Sequence, residues 1–139
     1  MARFQAAQCQ MQSGATGAAV EVQACLVAAR GLGIRQAEGA MLSTLGNAYY
    51  SLGRYVEAVK HHTQALEIAR EIGDRQGEGN LLGNLGCAYE SLGQYAEAVE
   101  HHTQALEIAR EIGDRQGEGN HLRNLGGANR QILVCSFVQ

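Results

Sequence analysis

The amino-acid sequence predicts an all-α protein, a solenoid of antiparallel helix hairpins with about seven helices. Three observations lead there. The twenty residues from His61 to Asn80, HHTQALEIAREIGDRQGEGN, recur letter for letter from His101 to Asn120, a period of 101 − 61 = 40 residues. Each period carries two apolar stripes at helical spacing, divided by a glycine. No proline, the residue that most disrupts a helix interior, occurs anywhere in the 139 residues. A fixed period of roughly 20–50 residues marks an architecture whose units bury their apolar faces on one another.

The same register extends outward from the identical segments. Leu42, Leu45, Gly46, Tyr49, Gly53, Tyr55 and Ala58 match Leu82, Leu85, Gly86, Tyr89, Gly93, Tyr95 and Ala98. A fainter copy lies upstream, where CLVAARGLGIRQAEGA from Cys25 echoes ALEIAREIGDRQGEGN from Ala105. The chain therefore reads as one domain, residues 1–139. A degenerate unit covers 1–33, repeats cover 34–73 and 74–113, and a partial repeat with a divergent tail covers 114–139.

Each helix has its own warrant. The worn first unit gives helices at Ala2–Gln12 and Ala15–Leu32 by its echo of the later ones. In the clear repeats, Leu82, Leu85, Gly86, Tyr89 and Leu92 fall at i, i+3, i+4, i+7 and i+10, one face of a helix over Asp74–Leu92. Gly93 stops it, because glycine tolerates the left-handed backbone of a helix end. Ala98, His102, Ala105, Leu106, Ala109 and Ile112 form the stripe of the next helix, Tyr95–Ile112. Gly113 closes that one, and Asp114 is suited to cap the last helix, which starts there. The preceding repeat places helices at Arg35–Leu52 and Tyr55–Ile72 in the same way. Gly77, Gly79, Gly83 and Gly86 inside one helix each cost about 1 kcal/mol relative to alanine. That helix is expected to be stable only where packing offsets the cost.

Composition narrows the function. The formal charge of −3 offers no basic footprint for nucleic acid. No apolar run approaches the roughly 20 residues that span a bilayer, and Met1 to Gly14 lacks a signal-peptide layout, so a cytoplasmic protein without a membrane role is expected. Cys9, Cys25, Cys87 and Cys135 are widely and irregularly spaced, which favours reduced thiols packed as small apolar residues.

The pairs His61–His62 and His101–His102, with His121 nearby, invite a metal reading. Neighbouring helical residues point about 100° apart, so neither pair chelates one ion. His62 and His102 are expected on the apolar stripe beside a tyrosine, and His61 and His101 on the outer face. Glu67, Arg70, Glu71, Asp74, Arg75 and their copies are expected to form a solvated face of helical ion pairs. A catalytic carboxylate pair would hardly be duplicated in successive units. The Gly77–Asn80 segment follows no strand and lacks a GK[ST] ending, so it is no phosphate loop. No enzyme, cofactor or metal is expected.

The pattern LxxLGxAYxSLGxYxEAVxHHxQALEIA resembles the tetratricopeptide repeat, carried here by Leu82, Leu85, Gly86, Tyr89, Gly93, Tyr95, Ala98, His102 and Ala105. Leucine stands for the family's tryptophan, His102 for its aromatic, the closing proline is missing, and the unit is longer. The EIGDRQGEGN insertion is similar to the long repeats of Pins/LGN-type scaffolds and of bacterial regulatory arrays. The resemblance implies a right-handed solenoid that acts as a scaffold for other proteins.

It also implies a concave face on the first helix of each hairpin. That face would carry Ala40, Ser43, Thr44, Asn47, Tyr50 and Ser51, then Asn80, Gly83, Asn84, Cys87, Glu90 and Ser91, then Asn120, Arg123, Asn124, Gly127 and Arg130. The peptide-binding set expected from it is Asn47, Tyr50, Asn80, Asn84, Cys87, Asn120, Arg123, Asn124 and Arg130. Asparagine suits this task because its amide both donates and accepts. The arginines favour an acidic partner segment. The rival expectation is a self-assembling array without a peptide ligand. After Ala128 the repeat pattern ends, and Ile132, Leu133, Val134, Phe137 and Val138 form an apolar tail expected to bury itself in a homodimer.

Overall fold

The computed structural model describes residues 15–31 and 34–138. These form six helices: α1 (Ala15–Gly31), α2 (Arg35–Ser51), α3 (Tyr55–Ile72), α4 (Arg75–Ser91), α5 (Tyr95–Ile112) and α6 (Arg115–Val138). No strand occurs among the described residues. The expected helix at Ala2–Gln12 lies outside them, as does Cys9. Helices α3 and α5 match their sequence-based bounds residue for residue. Helices α2 and α4 stop one residue early, because Leu52 and Leu92 serve as their C-caps.

The turns follow from single residues. Gly53, Gly73, Gly93 and Gly113 sit at φ between 73° and 76°, where a side chain would be strained. Each ends one of the helices α2 to α5. Past Gly93 the chain closes with the Gln94 N–H donating to Tyr89 O at 2.9 Å. Asp74 caps α4 by accepting from the Gly77 N–H at 2.9 Å, and Asp114 caps α6 through Gly117 at the same distance. At the position of Gly53 and Gly93, helix α6 carries Leu133 and runs on without a turn.

The chain divides into two compact units, Met1–Ile68 and Ala69–Gln139, with the boundary inside α3. In the first unit α1 packs on α2, and Leu42, Leu45, Ala58, His62 and Ala65 are buried. In the second, α5 packs on both α4 and α6, and α4 touches α6 directly. Its core is Leu82, Leu85, Ala88, Ala98, His102, Ala105 and Ala128. These residues are largely the two predicted stripes.

Candidate functional site

Glycines on the first helix of each hairpin receive side chains from the second. At Gly86 a Cβ would lie 2.5 Å from His102 Cε1, 2.6 Å from Nε2 and 2.7 Å from Nδ1. Gly46 and His62 repeat this in the first unit, with the ring atoms 2.6 to 2.8 Å from the same point. Seven residues earlier, Gly79 faces Ile108 and Gly39 faces Ile68. Gly83, expected on the open face, instead lies under His121 at the contact of α4 and α6. These small residues are the close approaches that the poor helix propensity implied.

The histidine faces differ from expectation. Tyr49 stacks on His61, and Tyr89 meets His101 at a tilt of 34°, each with ring centroids 5.0 Å apart. The outer histidines are half-buried, and Glu57 O and Glu97 O accept from their Nδ1 atoms at 2.7 Å. His62 and His102 sit on glycine, not on tyrosine, because only a glycine leaves room for a flat ring at helix-packing distance. Tyr89 is accordingly half-buried rather than fully covered.

Burial has a charge consequence. Desolvation pushes the pKa of both His62 and His102 down to about 4, with neighbouring histidines adding to it. His102 is fully enclosed, neither ring nitrogen has a hydrogen-bond partner, and Glu90 Oε2 stands 4.0 Å from Nε2. Desolvation also lowers the pKa of His121, against the pull of Asp114. All three rings are neutral at physiological pH. No group of three or more histidine, cysteine or acidic residues that could hold a metal occurs among the described residues.

Sequence reasoning missed a second device. Glu78, 8% exposed, accepts from Arg70 Nε at 3.0 Å and from Arg75 Nη1 at 3.0 Å, and Arg75 also pairs with Glu111. Glu38 does the same with Arg30 and Arg35 at 3.0 and 2.8 Å. Arg110 reaches Glu118 at 2.9 Å. Each clamp spans the junction between one hairpin and the next, so these charges are not all a solvated face. The Arg30 hydrogen bond is the main reason the Glu38 carboxyl is held below its usual range. For Glu78 burial pushes upward most, and the two arginines outweigh it. The signal was present in the sequence as arginine followed eight residues later by glutamate, three times at the same register.

The expected binding set is placed as follows. In the first unit Asn47 and Tyr50 are exposed on α2, and the Tyr50 ring meets Tyr55 edge-on at 5.2 Å. In the second unit Asn80, Asn120, Arg123 and Arg130 are exposed, whereas Asn84, Cys87 and Asn124 are half-buried. The α4–α6 contact brings Asn124 Nδ2 to 4.0 Å from Cys87 Sγ. Asn120 Oδ1 accepts from Arg123 Nη2 at 3.0 Å, which steadies the guanidinium beside the seam. A Cβ on Gly127 would lie 3.7 Å from Glu90 Oε1. Of the apolar tail, Leu133, Val134 and Phe137 are exposed, the last at 88%. Ile132 is half-buried beside the α4–α5 turn, and the Val138 side chain lies outside the described residues.

The sequence profile of the tetratricopeptide repeat matches residues 38–111, which is 111 − 37 = 74 of the 139 residues. The chain belongs to the tetratricopeptide repeat family. No curated protein sequence matches this TPR chain. Solved structures share its fold. BtubC (BKLC) from P. vanneervenii is 20% identical at a TM-score of 0.78, covering 85% of this chain and 50% of its own. A STAND signal transduction ATPase with a TPR sensor, from Pyrococcus horikoshii, is 19% identical at 0.80, covering 91% and 20%. The apo form of RapI is 16% identical at 0.83, covering 94% and 48%. The TPR chain thus spans half or less of each of these proteins. No helix among the described residues is long and apolar enough to cross a membrane.

Proposed function

We propose that the chain is a non-catalytic TPR adaptor of the cytoplasm that holds a partner's polypeptide segment on the polar face where α4 and α6 meet. The observation that carries this is the seam where α4 meets α6. There Asn84, Cys87 and Asn124 are half-buried, and the exposed Arg123 is steadied beside them by Asn120. Amide side chains partly withdrawn from water can bond a peptide backbone at little further desolvation cost, and a guanidinium at the rim selects for carboxylates. The polar face recurs on α2, where Asn47 is exposed. Described cysteines Cys25, Cys87 and Cys135 are free thiols, which suits a reducing compartment. A TPR region that works as a sensor in the P. horikoshii ATPase fits the same general role.

The test is selection of binders from a peptide library, followed by titration calorimetry. Binders should be enriched in Asp and Glu, and Arg123→Glu should weaken them by at least about fivefold, as charge-assisted hydrogen bonds are the stronger kind. Unchanged affinity retires the site. A mass that grows with concentration in light scattering, with no peptide selected, would support the rival reading of a self-assembling array.

A further inference from the structure

Helix α6 presents a face that the two preceding first-position helices keep covered. Gly119, Leu122 and Gly126 occupy the register of Gly79, Leu82 and Gly86 on α4, and of Gly39, Leu42 and Gly46 on α2. On α2 and α4 the leucine is 1% exposed, yet Leu122 is 47% exposed. A Cβ at Gly119 or Gly126 would meet nothing within 4 Å. Leu133 and Phe137 extend the same stripe, at 14 and 18 residues from Gly119, and both are exposed. An apolar helix face left open in this way generally marks an interaction surface.

The two covered copies specify what fits it. On α4, His102 fills the step above Gly86, Ile108 fills the step above Gly79, and Glu111 pairs with Arg75 at the end of the stripe. The matching positions on α6 are Gly126, Gly119 and the exposed Arg115. On α2, His62 and Ile68 fill the same two steps above Gly46 and Gly39. The complement is therefore an antiparallel amphipathic helix with histidine, then isoleucine six residues later, then glutamate three further on. Helix α6 does not turn back to supply one, since Leu133 replaces the turn glycine and the helix continues to Val138.

We propose that α6 is a docking site for a helix of the pattern His-x5-Ile-x2-Glu, supplied by another polypeptide. The imidazole seats on Gly126, the isoleucine on Gly119, and the carboxylate meets Arg115. The docked helix would complete a third hairpin interface in the helix-in-groove mode of recognition. This surface is distinct from the Asn84–Asn124 seam and does not rest on it.

The probe is a blocked peptide of Tyr95–Ile112 carrying Thr103→Lys, held helical by a lactam between that lysine and Glu107 at exposed positions, titrated into the full chain. Saturable binding of one peptide per chain is expected. Gly126→Leu should weaken it at least about tenfold by filling the step, as overpacking does. Circular dichroism of that variant should be unchanged, because the added side chain has open space in the unbound protein. Arg115→Glu should weaken binding several-fold, and a Glu111→Lys peptide should restore it. The proposal is overturned if no saturable binding occurs, or if Gly126→Leu leaves the affinity intact. It is also overturned if light scattering shows a dimer that Gly126→Leu dissolves while the peptide fails to bind, since the occupant would then be a second copy.

Discussion

The ring of His102 occupies the space that a side chain on Gly86 would need, with three ring atoms within 2.7 Å of the missing Cβ. The pairing explains why a residue poor for helices recurs in the middle of α2 and α4. It also makes the histidine structural. Its neutral, enclosed ring is a flat spacer between two helix backbones, and its polar atoms are carried as a cost.

The first prediction contrasts two glycines. Gly86→Ala gains about 1 kcal/mol of helix propensity but drives a methyl into the packed His102 ring, for a net loss of about 1–2 kcal/mol. Gly126→Ala meets open space and should stabilise by up to about 1 kcal/mol. Urea denaturation of the two variants reads the difference, and equal shifts of the same sign would contradict the geometry.

Acid should weaken the fold before the carboxylates titrate. The folded pKa of His62 and of His102 is about 4, against 6.5 for the free side chain. The unfolded chain therefore takes up protons that the folded chain refuses. Stability is full above about pH 6.5 and falls as pH drops toward 4, by about 1.4 kcal/mol per pH unit for each ring. Glu38 and Glu78, with lowered pKa, lose their contribution only further down. Urea midpoints measured from pH 7 to 4.5 should show the slope, and His102→Gln should roughly halve it, since His62 keeps its own share.

Leu85→Ala should cost about 2–5 kcal/mol, because Leu85 is 1% exposed and the cavity is enclosed. His101→Ala removes the tilted ring contact with Tyr89 and the bond to Glu97 O, and should cost about 0.5–1.5 kcal/mol. Glu107, exposed on the same helix, should be replaceable by alanine within about 0.5 kcal/mol. Thermal denaturation that ranks the three differently would show that the faces of α5 are misassigned.

The clamps should grade with burial. Glu78→Ala strands Arg70 and Arg75 at a covered junction and should cost about 1 kcal/mol, limited because both arginines are half in water. Glu118→Ala removes one pair at a carboxylate already 33% exposed and should cost less. A larger loss at Glu118 would contradict the grading.

Helix bounds were readable because glycine stops and aspartate caps act through local backbone chemistry, so Gly113 and Asp114 marked their junction without tertiary context. The apolar stripe located Leu82, Leu85 and Ala98 for the same reason. What the stripe concealed was the partner of each residue. His101 and His102 are neighbours in sequence, and only the crossing of α4 over α5 decides which meets Tyr89 and which meets Gly86. Glu78 gave no signal by itself because its two arginines come from either side of the Gly73 turn. The polar column proposed for binding was legible as exposed-type residues at one register. The burial of Asn84, Cys87 and Asn124 was not, since it depends on α4 touching α6.

The exact recurrence of HHTQALEIAREIGDRQGEGN carries a genetic consequence. Removing residues 61–100 would join Lys60 to His101 and recreate, letter for letter, the junction that already exists at Lys60–His61. Every local contact across the splice has a native counterpart, from the Asp caps to the glycine turns. Stability in such arrays is close to a sum over units and their nearest-neighbour interfaces. A slip during replication could therefore shorten or lengthen this protein by one unit while the cap and turn at each junction stay native, the seat of His121 changing from Gly83 to Ser43. Chain length becomes a quantity that can drift without unfolding the product.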